Sequence, residues 1–335
     1  MKFLVVKLKI RKNTKKDGRK SNFMKTHPLN LLVAFVAGLA STLNPIIARA
    51  DILYMSNADN NTIEKFTPGG VGSVFASSGL SHPNGLAFDS AGNLYAAIYA
   101  PDGSAAGSIV KITPGGVGSV FASSLLNFPT GLAFDSTGNL YAANQGNNTI
   151  VKFTPGGVGS VFASSGLNLP FGLAFDRTGN LYAANIGNNT IEKFTPSGGG
   201  SLFASSGLSS PFGLAFDSTG NLYAANTGNS TIEKFTSGGV GSLFASSGLN
   251  VPRGLAFDST GNLYALNFGN NTIEKFTSGG SGSLFANSGL FNPEFLAFTD
   301  DAGVPLKLAN QVPEPSTWAM LALGLPALLG FRRGR

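Results

Sequence analysis

The 335-residue chain contains no cysteine. That excludes disulfides and thiolate metal sites, and it leaves the redox compartment open. Charged residues make up only 12%, and tryptophan occurs once. Histidine occurs twice, and beyond residue 50 only as His82. No apolar run reaches the roughly 20 residues that span a bilayer as a helix. G-x-S-x-G, H-E-x-x-H and a phosphate-binding loop are all missing. A basic folded region is missing too, although the formal net charge is +6. The segments 1–50 and 312–335 hold 14 of the 23 Lys and Arg but 2 of the 17 acids, leaving 9 against 15 in 51–311, a balance of −6. An acidic centre without a basic stripe argues against nucleic-acid binding, where phosphate neutralisation dominates affinity.

What the chain has is one unit, repeated. Its cleanest copy runs from Gly213 to Leu249, and near-copies begin at Gly85, Gly131, Gly172 and Gly254, with a worn one at Phe295. The phenylalanine of the Leu-Ala-Phe core recurs at Phe88, Phe134, Phe175, Phe216, Phe257 and Phe298, spaced by 46 and then four times by 41 residues. A period near 40 points to a propeller or a solenoid. The unit holds four short strand-like runs and no helical run, which is one propeller blade. In the copy at Gly213 these runs are Leu214–Phe216, Leu222–Ala225, Thr231–Thr236 and Ser242–Ser246. Alternation sets Leu214 and Phe216 against Ala215, and Ile232 and Lys234 against Glu233 and Phe235. Between the first two runs, Asp217 can bond its own backbone and Gly220 can take the left-handed angle that closes a hairpin.

The fold class expected is therefore all-β, a six-bladed propeller of four-stranded blades. Residues 52–57 match a second strand, Thr62–Phe66 a third and Ser73–Ser78 a fourth, while the missing first strand lies at Phe295–Phe298. The closing blade thus takes strands from both termini, which removes exposed sheet edges. Residues 305–310 weakly resemble another second strand and compete with 52–57. The blade at Gly85 carries a five-residue insertion with the turn signal Pro101-Asp102-Gly103.

Three segments follow. Residues 1–50 are a basic extension plus a signal peptide, whose better start is Met24. Lys25 is its charged region, Leu31–Ala40 its apolar core, and Ala48-Arg49-Ala50 its A-x-A cleavage site for signal peptidase. Residues 51–311 form the propeller, and residues 312–335 form an apolar tail with a basic end.

Pro-Phe-Gly-Leu-Ala-Phe-Asp-Ser-Thr-Gly-Asn-Leu-Tyr-Ala-Ala-Asn (211–226), followed by Asn-Ser-Thr-Ile-Glu-Lys-Phe (229–235), resembles the NHL-type β-propeller repeat. Its relatives include gluconolactonase-like and virginiamycin-lyase-like propellers, so the resemblance carries fold far better than function. One departure is Asn144, Asn185, Asn226 and Asn267, where the repeat usually has Asp. Val312, Pro313, Glu314, Pro315 and Ser316, then an apolar run from Trp318 to Phe331, then Arg332, Arg333 and Arg335, resemble the PEP-CTERM sorting signal. That resemblance implies export in a Gram-negative bacterium, transient anchoring in the inner membrane and processing by exosortase. The destination expected is the cell surface or the extracellular matrix.

Comparing repeats within the chain separates architecture from candidate sites. The Asp of each hairpin turn (Asp89, Asp135, Asp176, Asp217, Asp258) never varies and reads as a structural cap. One carboxylate per turn falls short of a Ca²⁺ site, so no metal or cofactor is expected. The Asn-rich loops after the second strands read first as turns and second as a ring of amides for sugar hydroxyls. The residue after each loop proline does vary: Asn84, Thr130, Phe171, Phe212, Arg253 and Glu294. In a propeller these ring one mouth of the central channel, and His82 lies beside them. The expected function is a binding or scaffold module with a polysaccharide or protein ligand at that mouth. The alternative is a lactonase- or lyase-like enzyme using His82 and Glu294 as acid and base. The relatives' His/Glu motif is not matched residue by residue, and Glu294 alone is too few carboxylates for the divalent ion that gluconolactonase-like channels hold.

Overall fold

The computed structural model describes residues 50–99 and 107–306. These contain 24 strands in six four-stranded antiparallel sheets, and no helix. The chain is a six-bladed propeller. Five blades use consecutive strands, while the closing sheet has the order Pro293–Asp300, Asp51–Asn57, Thr62–Phe66, Gly72–Ala76.

Local chemistry accounts for each hairpin. In the Pro211 blade, Asp217 Oδ1 accepts from the backbone N–H of Thr219 (2.8 Å) and Asn221 (2.9 Å) and from the Thr219 hydroxyl (2.8 Å). Its Oδ2 accepts from the Asn221 amide (2.8 Å) and the Tyr223 hydroxyl (3.3 Å). Gly220 sits at φ +88°, where a side chain would be strained. Burial favours the neutral acid, but the bonds from Asn221 and Thr219 outweigh it and hold the Asp217 carboxyl below its ordinary value. Asp135, Asp176 and Asp258 are lowered for the same reason. The cap role expected for these aspartates is what the bonds describe.

The alternation sorts side chains between neighbouring blades. Leu214, Phe216, Leu222, Ala224 and Phe235 pack on Tyr182, Ala184 and Ile191 of the blade before. Tyr223, Ala225 and Ile232 pack on Leu255, Leu263, Ala265 and Phe276 of the blade after. Tyr223 also meets Phe257 of that blade edge-on at 5.1 Å and 75°. Apolar area buried at about 25 cal/mol per Å² is the main cohesive term between blades.

Several strand ends differ from expectation, most of them by one residue. The innermost strand begins earlier, at Pro211, because Pro211 pairs with Asn226 across a register shift. The outermost ends at Ala245, where pairing with Ile232 stops. The competition in the closing blade is settled for 52–57, because Asp51–Asn57 pairs with both Pro293–Asp300 and Thr62–Phe66. Of the rival segment, Pro305 makes only an isolated bridge to Thr299, and residues 307–310 lie outside the described residues.

The innermost strands stand unusually close. A Cβ on Gly85, Gly131, Gly172 or Gly213 would lie 2.1 to 2.3 Å from a carbonyl oxygen of the next blade. Glycine is the residue that permits this approach. The sixth equivalent position is Phe295, whose N–H instead donates to the Ser56 hydroxyl (3.1 Å). The Phe295 ring packs at a tilt against Phe212 (5.4 Å, 40°), which packs likewise on Phe171 (4.4 Å, 43°). This aromatic layer lies beneath the upper mouth, where the innermost strands begin. They end at the lower face, which carries the Asp turns.

Candidate functional site

A recess of about 310 Å³ opens at the upper mouth. It is lined by His82, Asn84, Phe171, Phe212, Arg253 and Glu294, so six of the seven candidate residues come together. Thr130 does not join them. It is fully buried and donates its hydroxyl to the carbonyls of Pro170 (3.0 Å) and Ala143 (3.3 Å). The lower mouth is larger, about 630 Å³, but its lining includes the repeat-invariant residues Ala215, Phe216, Ala256, Phe257 and Asp258.

Each polar group in the upper recess is placed by its loop. His82 precedes the loop proline and sits at φ 46°, a left-handed angle shared by Leu169, Ser210, Val251 and Asn292 at the same repeat position. Asn61 Oδ1 pins it by accepting the His82 N–H at 2.7 Å. Asn148 and Asn189 do the same for Leu169 (2.7 Å) and Ser210 (2.6 Å). The Asn-rich loops therefore staple one blade's upper loop to the next. The second-strand amides Asn144, Asn185, Asn226 and Asn267 are fully buried and donate to loop carbonyls at 2.8 to 2.9 Å. The turn role weighed for the Asn-rich loops is the one these bonds support. The insertion at Pro101-Asp102-Gly103 lies outside the described residues.

Arg253 and Glu294 form a buried ion pair through Nη1 and Oε1. The guanidinium also lies 3.3 Å from the centroid of Phe268 and 5.1 Å from that of Phe212. Burial lowers the Arg253 pKa, and Glu294 opposes the shift. Burial pushes Glu294 up to about 7, against the pull of Arg253 and with a smaller push from Asp59. Glu294 is the member of the pair that titrates.

Four residues that line the recess each hold a buried polar atom with no hydrogen-bond partner within the protein: His82 Nδ1, Asn84 Oδ1, Arg253 Nε and Glu294 Oε2. Such atoms are rare, because each costs about 1–3 kcal/mol. Donors, acceptors and a titratable acid thus converge above an aromatic floor. The set does not suit a divalent cation: Glu294 is engaged by Arg253, and among the described residues no three of His, Asp and Glu stand close enough to hold a metal ion.

A second ring was not anticipated. Tyr99, Gln145 and Phe268 also line the recess. They occupy the position after the second strand, which reads Ala58, Tyr99, Gln145, Ile186, Thr227 and Phe268 around the blades. The signal that found the first ring, variation amid invariant neighbours, was present here as well. Tyr99 stacks on Phe128 at 5.0 Å. Of the processing sites, Ala50 is exposed and adjoins the first strand, while Ala48 and Val312 to Ser316 lie outside the described residues.

Two family motifs match the chain. The PEP-CTERM protein-sorting motif matches residues 311–335, and the NHL repeat matches residues 126–153. The sorting motif implies export, transient anchoring at the C-terminus and processing by exosortase. No curated relative matches in sequence. Among solved structures, a chain of a nidogen/laminin complex is 20% identical, covering 74% of this chain and 98% of its own, at a TM-score of 0.66. Virginiamycin B lyase from Staphylococcus aureus is 17% identical over 75% of this chain and 82% of its own, at 0.55. A gluconolactonase from Xanthomonas campestris is 20% identical over 65% and 82%, also at 0.55. Likeness at these identities establishes the shared propeller fold.

Proposed function

We propose that the protein is an exported binding or scaffold module of the cell envelope or extracellular matrix, with its ligand seated in the upper recess. The carrying observation is that four residues with unpartnered buried polar atoms line one recess together with Phe171 and Phe212. A sugar suits this pairing: its C–H faces stack on the rings, and its hydroxyls satisfy Asn84, Arg253 and Glu294. The recess is sized for one or two sugar residues of a longer chain, at the small end of ligand pockets. Signal peptidase, cutting after Ala50, and exosortase, acting at Val312–Ser316, complete the route. A glycan array probed with residues 51–311 tests the reading. Binding without turnover, weakened by Arg253→Ala and Phe212→Ala, is the expected result. Full binding by both variants would refute it.

A second reading has one observation in its favour. Glu294, raised to about 7, shares the recess with His82 and is poised to exchange a proton near neutrality. Lyase and lactonase propellers are among the structural neighbours. Turnover of a lactone or of virginiamycin B that is lost in Glu294→Gln would favour it.

A further inference from the structure

Strand directions place both ends of the propeller on one face. Asp51 pairs with Asp300 at the lower end of the closing blade, whereas Asn57 pairs with Pro293 at the upper end. The described chain ends at Leu306, whose N–H donates to the Phe298 carbonyl (3.2 Å) and whose side chain lines the lower mouth. The sorting motif follows almost at once, beginning at residue 311. Twelve steps separate Leu306 from Trp318, where the apolar run begins. A tether of that length reaches at most about 40 Å even when fully extended. To lay the upper face on a bilayer it would have to pass out beyond four strands roughly 4.8 Å apart and then up a strand of about 20 Å.

The same face carries exposed apolar tips. The loop from third to fourth strand ends in Val71, Val117, Val158 and Val240, which are 68, 67, 70 and 70% exposed. Val304, in the turn before Leu306, is also exposed. Side chains at loop tips can enter the headgroup and acyl boundary of a bilayer without disturbing the sheets. Four of the carboxylates on this face, Asp89, Asp135, Asp217 and Asp258, lie 3.4 to 4.0 Å from lysine ammonium groups. The exposed tips are apolar, so their contact needs no anionic lipid.

We infer that the lower face is a lipid-docking surface. While the tail is uncut, Val71, Val117, Val158, Val240 and Val304 rest in the bilayer interface and the upper recess points away from it. The tethered protein is then already competent to take its ligand, and cleavage releases a body held by a shallow contact. This inference rests on strand direction and chain ends, not on the identity of the ligand.

The absence of cysteine allows single-site labelling. Val158→Cys and Ser165→Cys sit at the lower and upper ends of one blade, and Val240→Cys repeats the lower position on another. Each variant, with residues 312–335 retained, carries an environment-sensitive fluorophore and is mixed with phosphatidylcholine vesicles containing spin-labelled lipid. The vesicle-bound fraction is read after flotation. Labels at 158 and 240 should shift to the blue and be quenched, and the label at 165 should do neither. Unquenched labels at 158 and 240, or equal quenching at 165, would overturn the inference. Glycan binding measured on the same samples reports the ligand reading separately.

Discussion

The Asp217 cap recurs in four other blades and Asp300 repeats its backbone bonds in the closing one, so its replacement measures one cap against five intact ones. Asp217→Asn keeps an Oδ1 that can accept from Thr219 and Asn221. The new amide nitrogen, however, faces the Asn221 amide, a donor held 2.8 Å away, and no longer accepts from Tyr223. Lys234, 4.0 Å from Oδ2, loses its counter-charge. One unsatisfied buried donor and a weakened ion pair cost about 1–2 kcal/mol. Asp217→Ala loses every bond and should cost about 2–4 kcal/mol. In a domain of this size, Asp217→Asn lowers the melting temperature by roughly 3–6 °C. The pH dependence follows in sign. The Asp217 carboxyl is held below its unfolded value of 3.8. Its contribution is therefore present above about pH 4 and lost as pH falls through the folded value. Asp217→Asn removes that loss, so its stability should fall less steeply than the parent's between about pH 4 and pH 2. Urea denaturation at several pH values reads both quantities. Equal stability of the Asn and Ala variants, or an unchanged acid slope, would refute the cap argument.

Further outcomes follow from the rest of the molecule. Gly213→Ala places a Cβ 2.3 Å from the Arg253 carbonyl and should destabilise by about 1–3 kcal/mol, whereas Gly254→Ala, with a 2.9 Å approach, should cost less; thermal melts compare them. Glu294 binds its proton more tightly folded than unfolded, so its contribution to stability declines from about pH 4.5 to about pH 7. Glu294→Gln should flatten that decline, measured as denaturation midpoint against pH. Arg253→Ala and Phe212→Ala should each weaken a recess ligand by about 1–3 kcal/mol in calorimetry, while Asp217→Asn should leave affinity alone. Deleting 294–310 removes most of the closing blade's innermost strand, and an unchanged melting temperature would disprove the shared closure.

The blade was legible in the sequence because its determinants are local. The alternation of Leu214, Ala215 and Phe216, the turn of Asp217 with Gly220, and a near-invariant period all act within a few residues, and 24 strands follow from them. The partition of Ile232 and Phe235 between two neighbouring blades was legible for the same reason. So was the variable ring after the loop prolines, since comparison of repeats needs no coordinates. Tertiary structure decided what depends on distant segments meeting. Thr130 turned inward because the carbonyls of Pro170 and Ala143 lie within reach of its hydroxyl. Phe268 joined the site because Arg253 lies across its face, and Phe295 became part of a floor because it stands where five blades have glycine. The charge state of Glu294 belongs to this second kind: burial raises it and Arg253 opposes, and both effects depend on dielectric and distance, which no run of residues encodes.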